Sequence, residues 1–162
     1  MPTQLIGDAR VGIVGYGAMN LTWTPNPKSD EQAFACFKTA IDASPELTNV
    51  NSGEFYGAPR GEMGLELLSR FFVAEPEYAK KVFLSVKGGL LPNFSSDSSE
   101  ENLRRSVENI NRILGSRKMD LFECARVDTS RPIEEVSLPH PLSVLLADVV
   151  MDADDQNTQE ID

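Results

Sequence analysis

Two side chains in this sequence are placed to move a proton onto a carbonyl oxygen. Lys87 ends the clearest strand in the chain, Val82-Phe83-Leu84-Ser85-Val86, just ahead of Gly88-Gly89. Burying an ammonium without partners is expensive, so a lysine at the end of an apolar strand needs a reason. Tyr56 lies in the loop beyond a second extended stretch, Leu47 to Asn51. A phenol beside a lysine would have its pKa lowered, because positive charge stabilises the phenolate. Such a pair could serve as a general acid, protonating the oxygen as hydride reaches the carbon. The plain alternative is a strand-end lysine reaching water beside a packed loop tyrosine. Tyr16, Met19, Asn51, Arg126 and Asp128 also fall around or just beyond extended runs.

These residues can meet only if the runs are strands of one parallel sheet, whose reactive residues collect at the C-terminal ends. Val11 to Val14 is a short β-branched run leading into Gly15-Tyr16-Gly17, and reads as a buried strand and a tight turn. Trp23 to Pro27 is a loop, since its two prolines remove donors. Ser29 stands three residues before Gln32, a capping-box spacing, and Ala33, Phe34, Phe37, Ala40 and Ile41 predict a helix over about 30–43. Leu65, Leu68 and Phe72 predict a second helix as far as Ala74, broken by Glu75-Pro76. Leu103, Val107, Ile110, Ile113 and Leu114 mark a third, opened by Ser98 or Ser99 and closed by Gly115. Asp120 to Ala125 is a fourth strand.

The order β-α-β-α-β-α-β carries no hairpin signal and calls for parallel strands joined by crossover helices. An open doubly wound sheet and part of a (β/α)8 barrel both satisfy it. A complete barrel takes about 250 residues, so 162 residues hold about four of its eight units. The glycines at 12, 15 and 17 lack the spacing of a dinucleotide-binding turn opening a helix. Beyond Glu135 the pattern changes. Leu142 to Met151 is a short apolar run that predicts a helix, and the acidic end from Asp152 to Asp162 predicts disorder.

The formal net charge of −10 argues against nucleic acid and anionic membrane surfaces as partners. No apolar run approaches the roughly 20 residues of a membrane span. Cys36 and Cys124 are far apart and read as buried free thiols, with no metal knuckle. A cytoplasmic setting is expected.

Four blocks resemble the aldo-keto reductases: Gly15-Tyr-Gly-Ala-Met-Asn-Leu-Thr-Trp23, Asn51-Ser-Gly-Glu-Phe-Tyr-Gly57, Val82-Phe-Leu-Ser-Val-Lys-Gly-Gly89 and Asp120-Leu-Phe-Glu-Cys-Ala-Arg-Val-Asp128. They come in that family's order, over about residues 8–135, and are most similar to its fungal pyridoxal reductases. The resemblance implies an α/β fold, a partial (β/α)8 TIM barrel of about four units. Residues 1–135 would form the N-terminal half-barrel, and 136–162 a divergent acidic tail, part helix and part disordered. It implies NADP(H)-dependent reduction of an aldehyde or ketone of the pyridoxal kind. Tyr56 would be the general acid, Lys87 would lower its pKa, and Asn51 stands where the family usually has Asp. Asn can hydrogen-bond the lysine but cannot neutralise it. Gly17, Met19 and Thr22 would face the cofactor, and Trp23, Ala125 and Arg126 the substrate. Ala125 stands where the family usually has His, which removes a donor and opens space.

The later half of the family barrel supplies most cofactor contacts, and the residues after Glu135 do not resemble it. A truncated chain is therefore expected. Two readings follow: a reductase, or a catalytically inactive fragment that binds or self-associates through an open half-barrel.

Overall fold

In a computed structural model the chain is described over residues 2–57 and 61–136. Two short antiparallel strands come first, β1 (Thr3–Ile6) and β2 (Ala9–Gly12). Then follow β3 (Tyr16–Gly17), α1 (Met19–Thr22), α2 (Asp30–Asp42), β4 (Thr48–Gly53), α3 (Met63–Ala74), α4 (Pro76–Ala79), β5 (Val82–Gly88), α5 (Glu100–Leu114), β6 (Leu121–Cys124) and a 3-10 turn (Ile133–Glu135). Strands β3, β4, β5 and β6 lie side by side in that order, all parallel. The structure is thus an α/β half-barrel of about four units, as expected.

Local chemistry sets the helix ends. Ser29 accepts a hydrogen bond from the Gln32 amide, and Gln32 reaches back to the Ser29 amide, completing the capping box that opens α2. Ser99 caps α5 by accepting from the Asn102 amide, and Gly115, at a φ of 74°, closes it. Pro76 cannot continue α3 and instead opens α4.

The alternating side chains of the strands then divide the sheet into two faces. Val50, Leu84, Val86 and Phe122 point to one face and are at most 1% exposed. There they meet Phe37 and Ile41 of α2, Leu65, Leu68 and Phe71 of α3, and Ile110 and Leu114 of α5. The opposite face is the one a closed barrel turns inward. At its lower end Phe83 and Leu121 pack against Val11 of β2. At its upper end it is polar.

The hairpin corrects the expected start of the fold. Val11 is buried, but in β2 of a β-hairpin, and Ile13 and Val14 are 56% and 71% exposed. The strand of the parallel sheet begins only at Tyr16. Gly7-Asp8, with Gly7 at a φ of 57°, makes the two-residue turn of that hairpin. Cys36, on α2, is also exposed where a buried thiol was expected; Cys124 is partly buried. Val136, assigned to the tail, is buried in the main core. The expected helix at 142–151 and the acidic end lie outside the described residues.

Candidate active site

The parallel register sets the site. Gly53 of β4 lies beside Lys87 of β5, and Lys87 beside Glu123 of β6. Partners in register share a face, so these three stand at one level on the inner face, at the C-terminal end of the sheet. Asn51 lies two residues lower on β4, beside Ser85.

The amide of Asn51 joins the group together. Its Oδ1 accepts a hydrogen bond from Lys87 Nζ. Its Nδ2 donates to Ser85 Oγ at 2.8 Å and to Glu123 Oε1 at 2.9 Å. The other carboxylate oxygen, Glu123 Oε2, stands 4.0 Å from Lys87 Nζ. An amide has one acceptor and two donated hydrogens, and this arrangement uses all three.

Tyr56 reaches the same rim from the loop after β4. Its ring lies across Gly53, where any Cβ would come within 2.8 Å of the ring carbons. Glycine is therefore required there by close approach. The Tyr56 carbonyl accepts from the Gly64 amide at 2.8 Å and from Thr22 Oγ1 at 3.4 Å. Trp23 and Phe55 flank the ring, with centroids at 5.7 and 5.3 Å.

Glu54 anchors this loop to α5. Its amide donates to the Lys87 carbonyl at 2.8 Å. Its buried carboxylate accepts from Ser106 Oγ at 2.6 Å and from Arg105 and Asn109, each at 2.9 Å. Glu54 also lines, with Trp23, Phe55, Leu91, Phe94 and Arg105, a cavity of about 1060 Å³ whose lining does not include Lys87, Asn51 or Glu123.

The phenol does not have the lowered pKa expected of it. Burial pushes the Tyr56 hydroxyl up, the Glu123 carboxylate pushes it further up, and only Arg126 opposes. Desolvation favours the neutral phenol, and the carboxylate does the same. Spacing along a sequence reports neither effect.

The structure thus brings together Tyr56, Lys87 and Asn51 and adds Glu123, which sequence reasoning missed. The missing signal was the one used for Lys87: a charged residue near the end of an apolar strand. The remaining candidates are more scattered. Gly17 has open space where its side chain would be, and Met19 is exposed. Thr22 is buried and engaged with the Tyr56 loop. Trp23 stacks on Phe94 at 6.1 Å. The Ala125 amide continues the sheet by donating to Gly88, and Arg126 is exposed, donating to the Ala125 carbonyl. Asp128 is buried and accepts from Ser98 and Ser130. Those bonds, the Ser130 hydroxyl foremost, hold its carboxyl below the usual range.

A sequence model of the aldo/keto reductase family matches residues 13–139. The chain belongs to that family. Among its curated relatives, the Schizosaccharomyces pombe protein named "Probable pyridoxal reductase 2" is 39% identical over 132 residues, 80% of this chain and 39% of that protein. The chain therefore spans about two-fifths of the length of that aldo-keto reductase. The solved structure of aldo-keto reductase AKR11C1 from Bacillus halodurans, in its holo form, superposes with a TM-score of 0.65 at 16% identity, over 84% of this chain and 44% of that one. The thermostable aldo-keto reductase Tm1743 gives 0.63 at 23% identity, over 84% of this chain and 47% of that one. At those identities the likeness establishes the fold, a TIM barrel present here in part.

The family implies NADP(H), and the donors in view fit that dinucleotide poorly. Its phosphates need cationic or backbone donors left open to them. The basic side chains around the rim are already engaged: Lys87 with Asn51 and Glu123, Arg105 with Glu54, Arg131 with Asp128, and Arg126 with a carbonyl. Gly17 offers open space.

Proposed function

We propose that this chain forms the proton-donating part of a carbonyl-reducing aldo-keto reductase site, acting on aldehydes or ketones of the pyridoxal kind in the cytoplasm. The observation that carries this reading is that the Tyr56 ring lies across Gly53 of β4, the register neighbour of Lys87 on β5, with Asn51 holding the ammonium. In the reaction a hydride adds to the carbonyl carbon, and the Tyr56 hydroxyl gives its proton to the carbonyl oxygen. Solvent then reprotonates the phenolate. NADPH would supply the hydride when bound, and no described residue is assigned to it. Arg126 is the cation that favours the phenolate in this geometry, and Lys87, held by Asn51 and Glu123, would join it as the phenolate forms. Ala125 would leave room where a histidine ring would crowd a pyridine substrate, and Arg126 would face that substrate from the next position.

The test is pyridoxal-dependent loss of NADPH absorbance with the purified chain. Turnover that disappears in Tyr56→Phe is the expected result. No turnover above background overturns the reading for this chain and leaves the alternative, a non-catalytic module. Among the described residues no helix is long and apolar enough to cross a membrane.

A further inference from the structure

The Lys87 side chain is two-thirds shielded from water, and its hydrogen-bond partner Asn51 carries no charge. A partly buried cation held by a neutral amide calls for a counter-charge nearby. The groups beside it are Asn51 from β4 and Glu123 from β6, with Ser85 bound to the Asn51 amide, while Tyr56 and Arg126 lie within electrostatic reach of one another and Tyr56 within reach of Glu123. Glu123 is the carboxylate among them.

We propose that Glu123 is a positioning residue whose carboxylate, bridged through Asn51, fixes the Lys87 ammonium at the level of Gly53, where the Tyr56 ring lies. Register carries the argument: β6 places Glu123 directly beside Lys87, on the same face. One carboxylate oxygen accepts from Asn51 Nδ2 at 2.9 Å, and the other faces Nζ at 4.0 Å. Asn51 is thereby polarised between the two charges, its oxygen toward the cation and its amide hydrogens toward the anion. The carboxylate also acts on the phenol, in the direction that keeps it protonated. One group thus sets both partners of the proton transfer. The catalytic meaning of this rests on the reading of Tyr56 as general acid; the electrostatic claim does not.

The test is an NMR titration of the full chain carrying 13C-labelled lysine and tyrosine, with no cofactor or substrate present. In Glu123→Gln, the Lys87 side-chain signals are expected to lose the dispersion of an ordered side chain, and the Tyr56 pKa is expected to fall. Glu123→Asp, which keeps the charge but shortens its reach, serves if Glu123→Gln fails to fold, and is expected to loosen Lys87 in the same way. Ordered Lys87 signals together with an unchanged Tyr56 titration in these variants would overturn the proposal. Because no turnover is measured, failure here is distinct from failure of the reductase reading.

Discussion

Tyr56 shows how environment outweighs spacing. Its ring is 7% exposed, and burial holds the hydroxyl above the ordinary range of a phenol. The acid is therefore fully loaded at neutral pH, and any turnover should be insensitive to phenol ionisation below about pH 10. The same shift bears on stability. Tyr16, Tyr56 and Tyr78 all have raised pKa values, Tyr16 up to about 12. Once the pH passes the ordinary phenol value, the unfolded chain releases protons that the folded chain keeps. Stability contributed by these groups is complete below about pH 10 and is lost as the pH climbs through the folded values. The urea midpoint should fall above that point, and less steeply in Tyr16→Phe. A second residue-scale expectation concerns Gly53. Its replacement by Ala drives a methyl into the Tyr56 ring, and overpacking of this kind should cost about 1–3 kcal/mol by denaturant titration.

Among the elements, the joint between the Tyr56 loop and α5 is the one whose loss should spread furthest. Glu54→Leu would leave the buried Ser106 hydroxyl without its acceptor and reduce Arg105 and Asn109 to their bonds with Asn102, Leu90 and Glu62, at a cost of about 2–3 kcal/mol in urea denaturation. Ser29→Ala, at the start of α2, removes only a cap and should cost about 1 kcal/mol. The contrast also marks what could be read from sequence. Ser29 with Gln32, Ser99 and Gly115 announce helix ends through local chemistry, and the apolar run at 82–86 announces a strand. Those signals place all three long helices and three of the four parallel strands within a few residues. The hairpin was overlooked because its only local cue is Gly7-Asp8 between two short, weakly alternating runs. Tyr56, Lys87 and Asn51 could be named because each follows an extended run. Glu123 was passed over because its partner lies 36 residues away, and only the register of β5 with β6 makes them neighbours. The pKa of Tyr56 could not be read at all, since it depends on the wall of side chains around the ring.

At the scale of the whole molecule, the sheet of the described residues has two open edges. Among the described residues β3 and β6 are its two edges, whereas a closed barrel has none. Exposed Ile13 and Val14 sit next to the β3 edge. The purified chain should therefore associate with further copies of itself as concentration rises, which light scattering coupled to size-exclusion chromatography would register; Val14→Lys should weaken that association, and a strictly monomeric wild type would refute it. The chain also carries its own optical gauge. Its single indole, Trp23, is wedged between the rings of Tyr56 and Phe94. Emission from that one fluorophore, unlabelled and unmixed with any other tryptophan, should track each displacement of the loop that bears the proton donor, in any solvent and whether or not the protein turns anything over.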